Sequence, residues 1–578
     1  MATITDKNAQ ESASDTPPSL EKGTADRRPS AGDGYVPANL REEDFRTRNG
    51  LNLKSFQRRD WGTRDSELDR SMKKRHLNMI AIGGSIGAGF FVGSGGALAT
   101  GGPGSILLCF LIAGVMIFNV VHSLGELAVM YPVSGGFYTY AVRFIDPSWG
   151  FAMGWNYVLQ WIIVLPFELV VATFTCQYWN RDVSIAVWVT VFWVVIILIN
   201  IFGTLGYAEE EFWSSCFKLG AVVIFMIVAI ILICGGGPSD GLYDEYWGAR
   251  LWYDPGAFQN GFRGFCSVFV TAAFSYAGTE LVGLAAAESE NPLKALPSAV
   301  KQVFWRITFF YVVGLTLVCM LVSSTDERLL NAENAYREGT APFVLAARDA
   351  GLNGYDDFMN VVILVSVVSL GVSCVYGGSR TLTALAEQGY APKIFTYIDR
   401  SGRPLPSVLV NLAFGAIAYV QLAEDGSTVF GWLLAMSSLA ALLTWGSICY
   451  SHIRFRQAWK RQGHTVDEIP HQAIFGVWGA WVGLILCIVI FAAQFFVAVA
   501  PVGGGVNGAE GFFNSMLTVP VVLFFWAVGY LWKRQGFLNL DQIDVDSGRR
   551  PIDWEYVHEQ RRLYAAYPWW RKAISAVW

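Results

Sequence analysis

Between Leu77 and Trp532 the chain repeats one pattern, an apolar run followed by a short polar break. A helix needs about 20 apolar residues to cross about 30 Å of hydrocarbon, so these runs predict about twelve membrane-crossing helices. The first six cover 77–99, 103–130, 149–176, 185–202, 211–235 and 262–285. The second six cover 302–323, 356–386, 407–423, 428–451, 474–498 and 512–532. Three regions follow: a cytoplasmic, largely disordered tail over 1–75, a transmembrane domain over 76–533, and a cytoplasmic tail over 534–578. The first tail is polar and lacks the charged, apolar, then cleaved order of a removable signal peptide. The second carries "YPWWRKAISAVW", which suits the membrane interface or packing against the cytoplasmic face.

Composition agrees with a membrane protein. Of 578 residues 53% are hydrophobic and only 15% charged, with mean hydropathy +0.38, which excludes a water-soluble protein of this size. The nine cysteines fall in or beside the apolar runs and imply neither disulfides nor a zinc motif. The six histidines share no ligand spacing, so no metal enzyme is expected, and no GxxxxGK[ST] loop supports a nucleotide-driven pump. No cofactor and no nucleic-acid partner are expected. Basic residues set the orientation. Lys73, Lys74 and Arg75 precede the first run, and Arg143, Lys294, Lys301, Arg306, Lys393, Arg400, Arg403, Arg454 and Arg456 fall on the same side of later ones. Both termini are then cytoplasmic. "GYAEEE" at 206–211 reads as an acidic loop on that side, and Glu288 and Glu290 read as part of a solvated loop.

Two runs are interrupted. "GGSIGAGFFVGSGG" fills Gly83 to Gly96, although glycine costs a helix about 1 kcal/mol relative to alanine. In "FSYAGTELVGLAAAE", Gly278, Thr279 and Glu280 break the sixth run at its middle. Paired breaks in the first and sixth spans are the pattern of a transporter built from two inverted five-helix repeats. An unwound helix offers amides at one half-helix end and carbonyls at the other, which together suit a carboxylate and an ammonium. Close packing through small residues is the competing explanation for the first break, and the second break weighs against it.

The stretches "IAIGGSIGAGFFVGSGGAL", "GELAVMYPVSGGFYTYAVRFIDPSWGFAMGWNY", "FSYAGTELVGLAAAESENPLKALPSAVKQVFWRI" and "WLLAMSSLAALLTWGSICYSHIRFRQAW" resemble, in that order, the fungal amino acid permeases of the amino acid-polyamine-organocation superfamily. Over about 70 to 535 the chain most resembles the general amino acid permeases. The resemblance implies an all-α polytopic membrane protein with the leucine-transporter-like inverted repeat. It also implies a substrate carboxylate at the amides of Gly87, Ala88 and Gly89, and an ammonium at carbonyls around Ile86, Phe274 and Ala277, beside Gly278 and Thr279. Phe274 would gate the ligand. Many relatives have Thr or Ser where this chain has Ala88, so no hydroxyl assists there.

Charges within the spans are costly, at least about 2.5 to 3.5 kcal/mol each at a helix centre, and mark function. Four are candidates for proton coupling: Lys218, Glu280, Glu168 and Glu126. In proton-coupled relatives a lysine in the fifth span replaces a sodium ion, and Lys218 matches it; snorkelling to the nearby interface is its plainer reading. Glu280 matches an acidic position those relatives use in gating. Glu168, two residues beyond Pro166, also fits a structural hydrogen bond, and Glu126 fits a structural or gating role. Ser369, Ser373, Ser437 and Ser438 are candidates for a roomy, uncharged selectivity wall. The expected protein is a plasma-membrane proton and amino acid symporter of broad or neutral range. Its expected partners are the amino acid, protons, the lipid bilayer and, through Lys7, Lys22 and Lys54, the ubiquitin and trafficking machinery. A receptor of the same fold that transports little, or a permease narrow for one amino acid class, stays open.

Overall fold

Local chemistry starts the helices where the apolar runs begin. Asp146 accepts the amide of Ser148 at 2.7 Å and Pro147 takes the first position of the helix Pro147–Gln177, where its missing N–H costs nothing. Ser184 caps Ile185–Ile201 through the amide of Ala186. The computed structural model describes residues 45–58, 72–84, 86–132, 136–289, 292–330, 341–422, 426–549 and 552–572. Among them the regular structure is helical, with isolated bridges and no strand.

Eight of these helices are long and apolar enough to cross a membrane, or nine if the pair Ala509–Met516 and Thr518–Lys533, bent by 63°, is one span. Ile185–Ile201 is apolar but shorter. Burial sorts them. The apolar windows of Pro147–Gln177 and Gly261–Ala287 are 94% and 89% buried, against 28% for Gly476–Val499, so the first two form the centre and the last the rim. The rim presents its greasy side outward. Val187, Val191, Val194 and Leu198 recur at helical spacing and are all exposed, a face suited to lipid.

The first run is interrupted within its glycine stretch, as the sequence predicts. A helix spans Lys74–Gly83, the chain leaves helical geometry, and it resumes at Gly89–Gly93 and Ser94–Met130. The longer helix turns at Gly102, where φ is 80°, and a Cβ there would lie 2.8 Å from the Ala257 carbonyl oxygen. Only glycine fits that corner, and Pro103 follows it.

Three sequence expectations are corrected. "GYAEEE" is not a loop, because Gly203–Ile233 is one helix that includes it. Glu288 is buried, not solvated, and its carboxylate pairs with Arg380 at 3.1 Å. Arg306 and Arg403, counted with the loop cations, are buried as well.

Most of the N-terminal tail, residues 1–44 and 59–71, lies outside the described residues. The piece 45–58 packs on the loop 397–403. Arg400 donates its amide to the carbonyls of Ser55 and Gln57, Ser401 donates to Thr47, and Tyr397 donates to Phe56. After the last span, Leu538 donates its amide to Ile145, Tyr131 donates to the Val545 carbonyl, and Arg143 donates to those of Asp544 and Ser547.

Candidate functional site

The two breaks lie against each other. Between Gly83 and Gly89, Ile86 and Ala88 are almost fully buried. A Cβ on Gly89 would lie 2.8 Å from Phe274 Cδ1 and 2.9 Å from Ser275 Cα, and one on Gly87 would lie 2.5 Å from Leu370 Cδ2. Bare glycine is what lets the first break approach the second. Phe274 lies in the last turn of the helix Gly261–Tyr276 and meets Phe167 edge to face, with ring centroids 4.9 Å apart. Ala277 leaves the helix and Gly278 takes a φ of 90°, a value glycine adopts without strain. The helix resumes at Leu281–Ala287.

Not every group in the breaks is available to a ligand. The Phe274 carbonyl already accepts the Ala277 amide at 3.0 Å. The Thr279 hydroxyl donates to the Tyr276 carbonyl at 2.6 Å and accepts from Arg306 at 2.9 Å, and the Thr279 amide donates to the same carbonyl at 3.2 Å, so both groups are engaged within the break. Arg306 also donates to the Ala81 carbonyl at 3.2 Å. One guanidinium therefore ties the end of Lys74–Gly83 to the sixth break, a cation at the negative end of a half-helix.

Glu280 is held by three donors: the Gly278 amide at 3.2 Å, Trp445 Nε1 at 3.0 Å and the Tyr157 hydroxyl at 3.3 Å. It clamps the break to Pro147–Gln177 and to Gly426–Arg461. Glu168, also on Pro147–Gln177, turns toward the Ala88 backbone and Lys218, and its oxygens lack a well-formed hydrogen bond among the described residues. Glu126 belongs to a different neighbourhood. It receives Arg456 at 2.6 and 2.8 Å and the Ala473 amide at 2.8 Å, with His452 Nε2 2.9 Å away. That is a fixed ion pair joining Ser94–Met130 to Gly426–Arg461, apart from the breaks.

Lys218 does not snorkel. It is fully buried and its ammonium lies 3.1 Å from Glu211, also fully buried. Sequence reasoning missed Glu211 by placing it in a loop. The signal was available: Glu211, Ser214, Ser215 and Lys218 fall at i, i+3, i+4 and i+7, one face of one helix. Ser369 and Ser373, expected on the selectivity wall, instead donate to Glu211 at 2.8 and 3.2 Å. Ser438 donates to the Val270 carbonyl at 3.1 Å, and Ser437 is buried beside it without a partner among the described residues.

Two abutting helix breaks, lined by backbone and by buried charge, are the arrangement in which broken-helix transporters hold a small polar solute. The chain's sequence relationships specify the class further. The amino acid permease family model matches residues 76–542, and the chain belongs to that family, whose members are transporters and not enzymes. The chain is 64% identical over 537 residues to the amino-acid permease inda1 of Hypocrea atroviridis, covering 92% of this chain and 94% of that one. It is 50% identical over 521 residues to the general amino-acid permease GAP2 of Candida albicans, covering 89% and 88%. With the general amino-acid permease GAP1 of Saccharomyces cerevisiae the identity is 48% over 520 residues, covering 88% and 85%.

Proposed function

We propose that this multi-pass permease is a proton-coupled importer of neutral or broad-range L-amino acids in the plasma membrane. In this reading it crosses the membrane about twelve times, as two inverted five-helix repeats with both termini cytoplasmic. The observation that carries it is the meeting of the two breaks, Gly89 against Phe274 and Ser275. The α-carboxylate takes the amides of Gly87, Ala88 and Gly89, and the ammonium takes backbone carbonyls at Ile86 and Ala277, with the second lone pair of Phe274. The names of GAP1 and GAP2 support a general substrate range.

Protons supply enough energy. A pH difference of one unit gives about 1.4 kcal/mol and 100 mV about 2.3 kcal/mol per charge, together supporting roughly 500-fold accumulation of a neutral amino acid. The test is uptake of a panel of labelled amino acids by cells lacking their own permeases, with and without an uncoupler. Accumulation of several neutral amino acids that vanishes with the uncoupler is expected. Uptake indifferent to the uncoupler overturns proton coupling. Binding without uptake overturns transport in favour of a receptor, and uptake of one class only overturns the broad range.

A further inference from the structure

The ion pair of Lys218 and Glu211 is more than a buried contact, because of what it leans on. Four donors surround the Glu211 carboxylate: Lys218 at 3.1 Å and Ser215 at 2.6 Å on one oxygen, Ser369 at 2.8 Å and Ser373 at 3.2 Å on the other. Such a shell suits an ionised carboxylate. Ser369 also receives the Lys218 ammonium at 3.3 Å, so the pair and two helices, Gly203–Ile233 and Tyr355–Glu387, form one network.

That network touches the first break on both sides. Ser215 lies against the last turn of Lys74–Gly83: its hydroxyl is 3.4 Å from the Met79 carbonyl, and a Cβ on Gly83 would sit 2.1 Å from it. Leu370, the residue after Ser369, is the side chain against Gly87. The carboxylate thus holds Ser215, on which the half-helix before the break rests, and Ser369, whose neighbour Leu370 packs on the break itself.

We propose that Glu211 is the proton acceptor of the transport cycle and that its ion pair with Lys218 latches the half-helix Lys74–Gly83. The inference rests on the proton-coupled reading above and assigns the coupling site within it. A proton taken from the outside forms an O–H bond on Glu211 Oε1, where Lys218 now donates. The N–H···O contact breaks, and the cluster gains one positive charge. That charge faces the carbonyl end of the half-helix, which favours it. Ser215 loses the carboxylate that anchors its rotamer, its hydroxyl turns away from the half-helix it lies against, and the cytoplasmic side of the break opens with substrate bound. Loss of the proton to the cytoplasm restores the ion pair and closes the latch. Substrate alone leaves the pair intact, so transport requires both.

Other charged or titratable groups face the pair from each neighbouring element. Glu210 and Tyr207 lie on its own helix. Glu210 has a buried oxygen without a hydrogen-bond partner among the described residues. Arg380, on Tyr355–Glu387, interacts with Tyr207, and Tyr376 stacks on Tyr207 with centroids 4.2 Å apart. Glu168 faces Lys218 from Pro147–Gln177. At the start of the half-helix, Arg75 and His76 both engage Glu209.

The test uses the purified full chain in proteoliposomes holding a pH-sensitive dye, with the labelled amino acid that the panel takes up best. Counterflow, which exchanges labelled for unlabelled amino acid without a gradient, is measured beside gradient-driven accumulation. Glu211→Gln is expected to keep counterflow within about 3-fold of wild type while accumulation and substrate-triggered proton entry fall at least ~10-fold. Ser369→Ala, which alters no charge but removes one donor to the Glu211 carboxylate, is expected to shift the half-maximal pH of uptake. Normal accumulation and proton entry in Glu211→Gln overturn the assignment. So does parallel loss of counterflow and accumulation in Glu211→Gln with an unshifted pH profile in Ser369→Ala, the mark of a purely structural pair. Wild-type counterflow without any proton entry overturns the proton-coupled reading itself, before any variant is compared.

Discussion

A single methyl group at Gly89 tests whether the meeting of the breaks is what binds substrate. In Gly89→Ala the new Cβ would stand 2.8 Å from Phe274 Cδ1 and 2.9 Å from Ser275 Cα and Oγ. One of these is backbone and cannot swing aside, so something must shift. Overpacking of this kind costs about 1–3 kcal/mol, while alanine returns about 1 kcal/mol of helix propensity. The net penalty is at most about 2 kcal/mol, up to roughly 30-fold in apparent affinity where the bound state needs the close approach. Gly87→Ala is milder, because its new Cβ meets first the end of the flexible Leu370 side chain, at 2.5 Å. Gly96, with nothing within 4 Å of its would-be Cβ, is the control, and Gly96→Ala is expected to match wild type. The assay is labelled uptake as a function of substrate concentration, normalised to surface protein. The expected order of apparent affinity is Gly96→Ala, then Gly87→Ala, then Gly89→Ala, at equal surface abundance. Wild-type affinity in Gly89→Ala would refute the site, and loss of surface protein in that variant would mean the glycine serves helix packing.

Arg456→Ala strands the buried Glu126 carboxylate and is expected to cost about 3–5 kcal/mol of stability, read as a lower melting temperature in detergent, whereas unchanged melting would deny the pair its fixed role. Glu280→Gln leaves one amide oxygen for three donors and puts an NH2 against the others, so uptake is expected to fall about 10-fold with surface abundance retained, and an unaffected rate would remove Glu280 from the gate. In the loop after Gly426–Arg461, burial holds the His471 imidazole down to about 4 from 6.5, against the opposing pull of Glu126. The unfolded chain takes its proton first, so His471 favours the fold above pH 6.5 and that advantage is lost as pH falls toward 4. Melting between pH 7.5 and 5 is therefore expected to drop more steeply in wild type than in His471→Gln, and equal slopes would contradict it.

Helices and breaks were legible in the sequence because each depends on something composition reports. About 20 apolar residues in a row have few folded alternatives in lipid, and glycine clusters mark where a helix is allowed to stop. What escaped was the partnership of charges. Hydropathy reads Glu209, Glu210 and Glu211 as a solvated loop, yet the helix runs through them, with Lys218, two turns further along the same face, paired to Glu211. Glu288 and Arg380 escaped for the same reason, since a carboxylate and a guanidinium 92 positions apart leave no local trace of their pairing. Ser369 and Ser373 were placed in the right helix and on the wrong face, because a helix apolar on most sides gives no periodic signal for its rotation. The segment 45–58 looked unstructured for its polarity, while the partners that hold it lie in the loop 397–403.

Arg306 is where the fold and the transport cycle meet most directly. Its guanidinium spans from the Ala81 carbonyl, near the end of the half-helix Lys74–Gly83, to the Thr279 hydroxyl in the sixth break and the Tyr311 hydroxyl 3.3 Å away. Tyr311 in turn donates to the Ser275 carbonyl at 2.6 Å, beside Gly89. A lysine would keep the charge near the half-helix end, but its single ammonium lacks the planar fork that reaches both breaks at once. Arg306→Lys is therefore expected to fold and to reach the surface, yet to hold the breaks in less fixed register, lowering the maximal rate more than the apparent affinity. Arg306→Met removes the charge, leaves the Ala81 carbonyl and the Thr279 hydroxyl without it, and is expected to lower surface abundance too. Concentration-dependent uptake with surface biotinylation separates the cases. If Arg306→Lys behaves as wild type while Arg306→Met fails, the residue serves as a charge at the half-helix end and the bridge between breaks is incidental; a rate loss in both variants is what a mechanical tie requires.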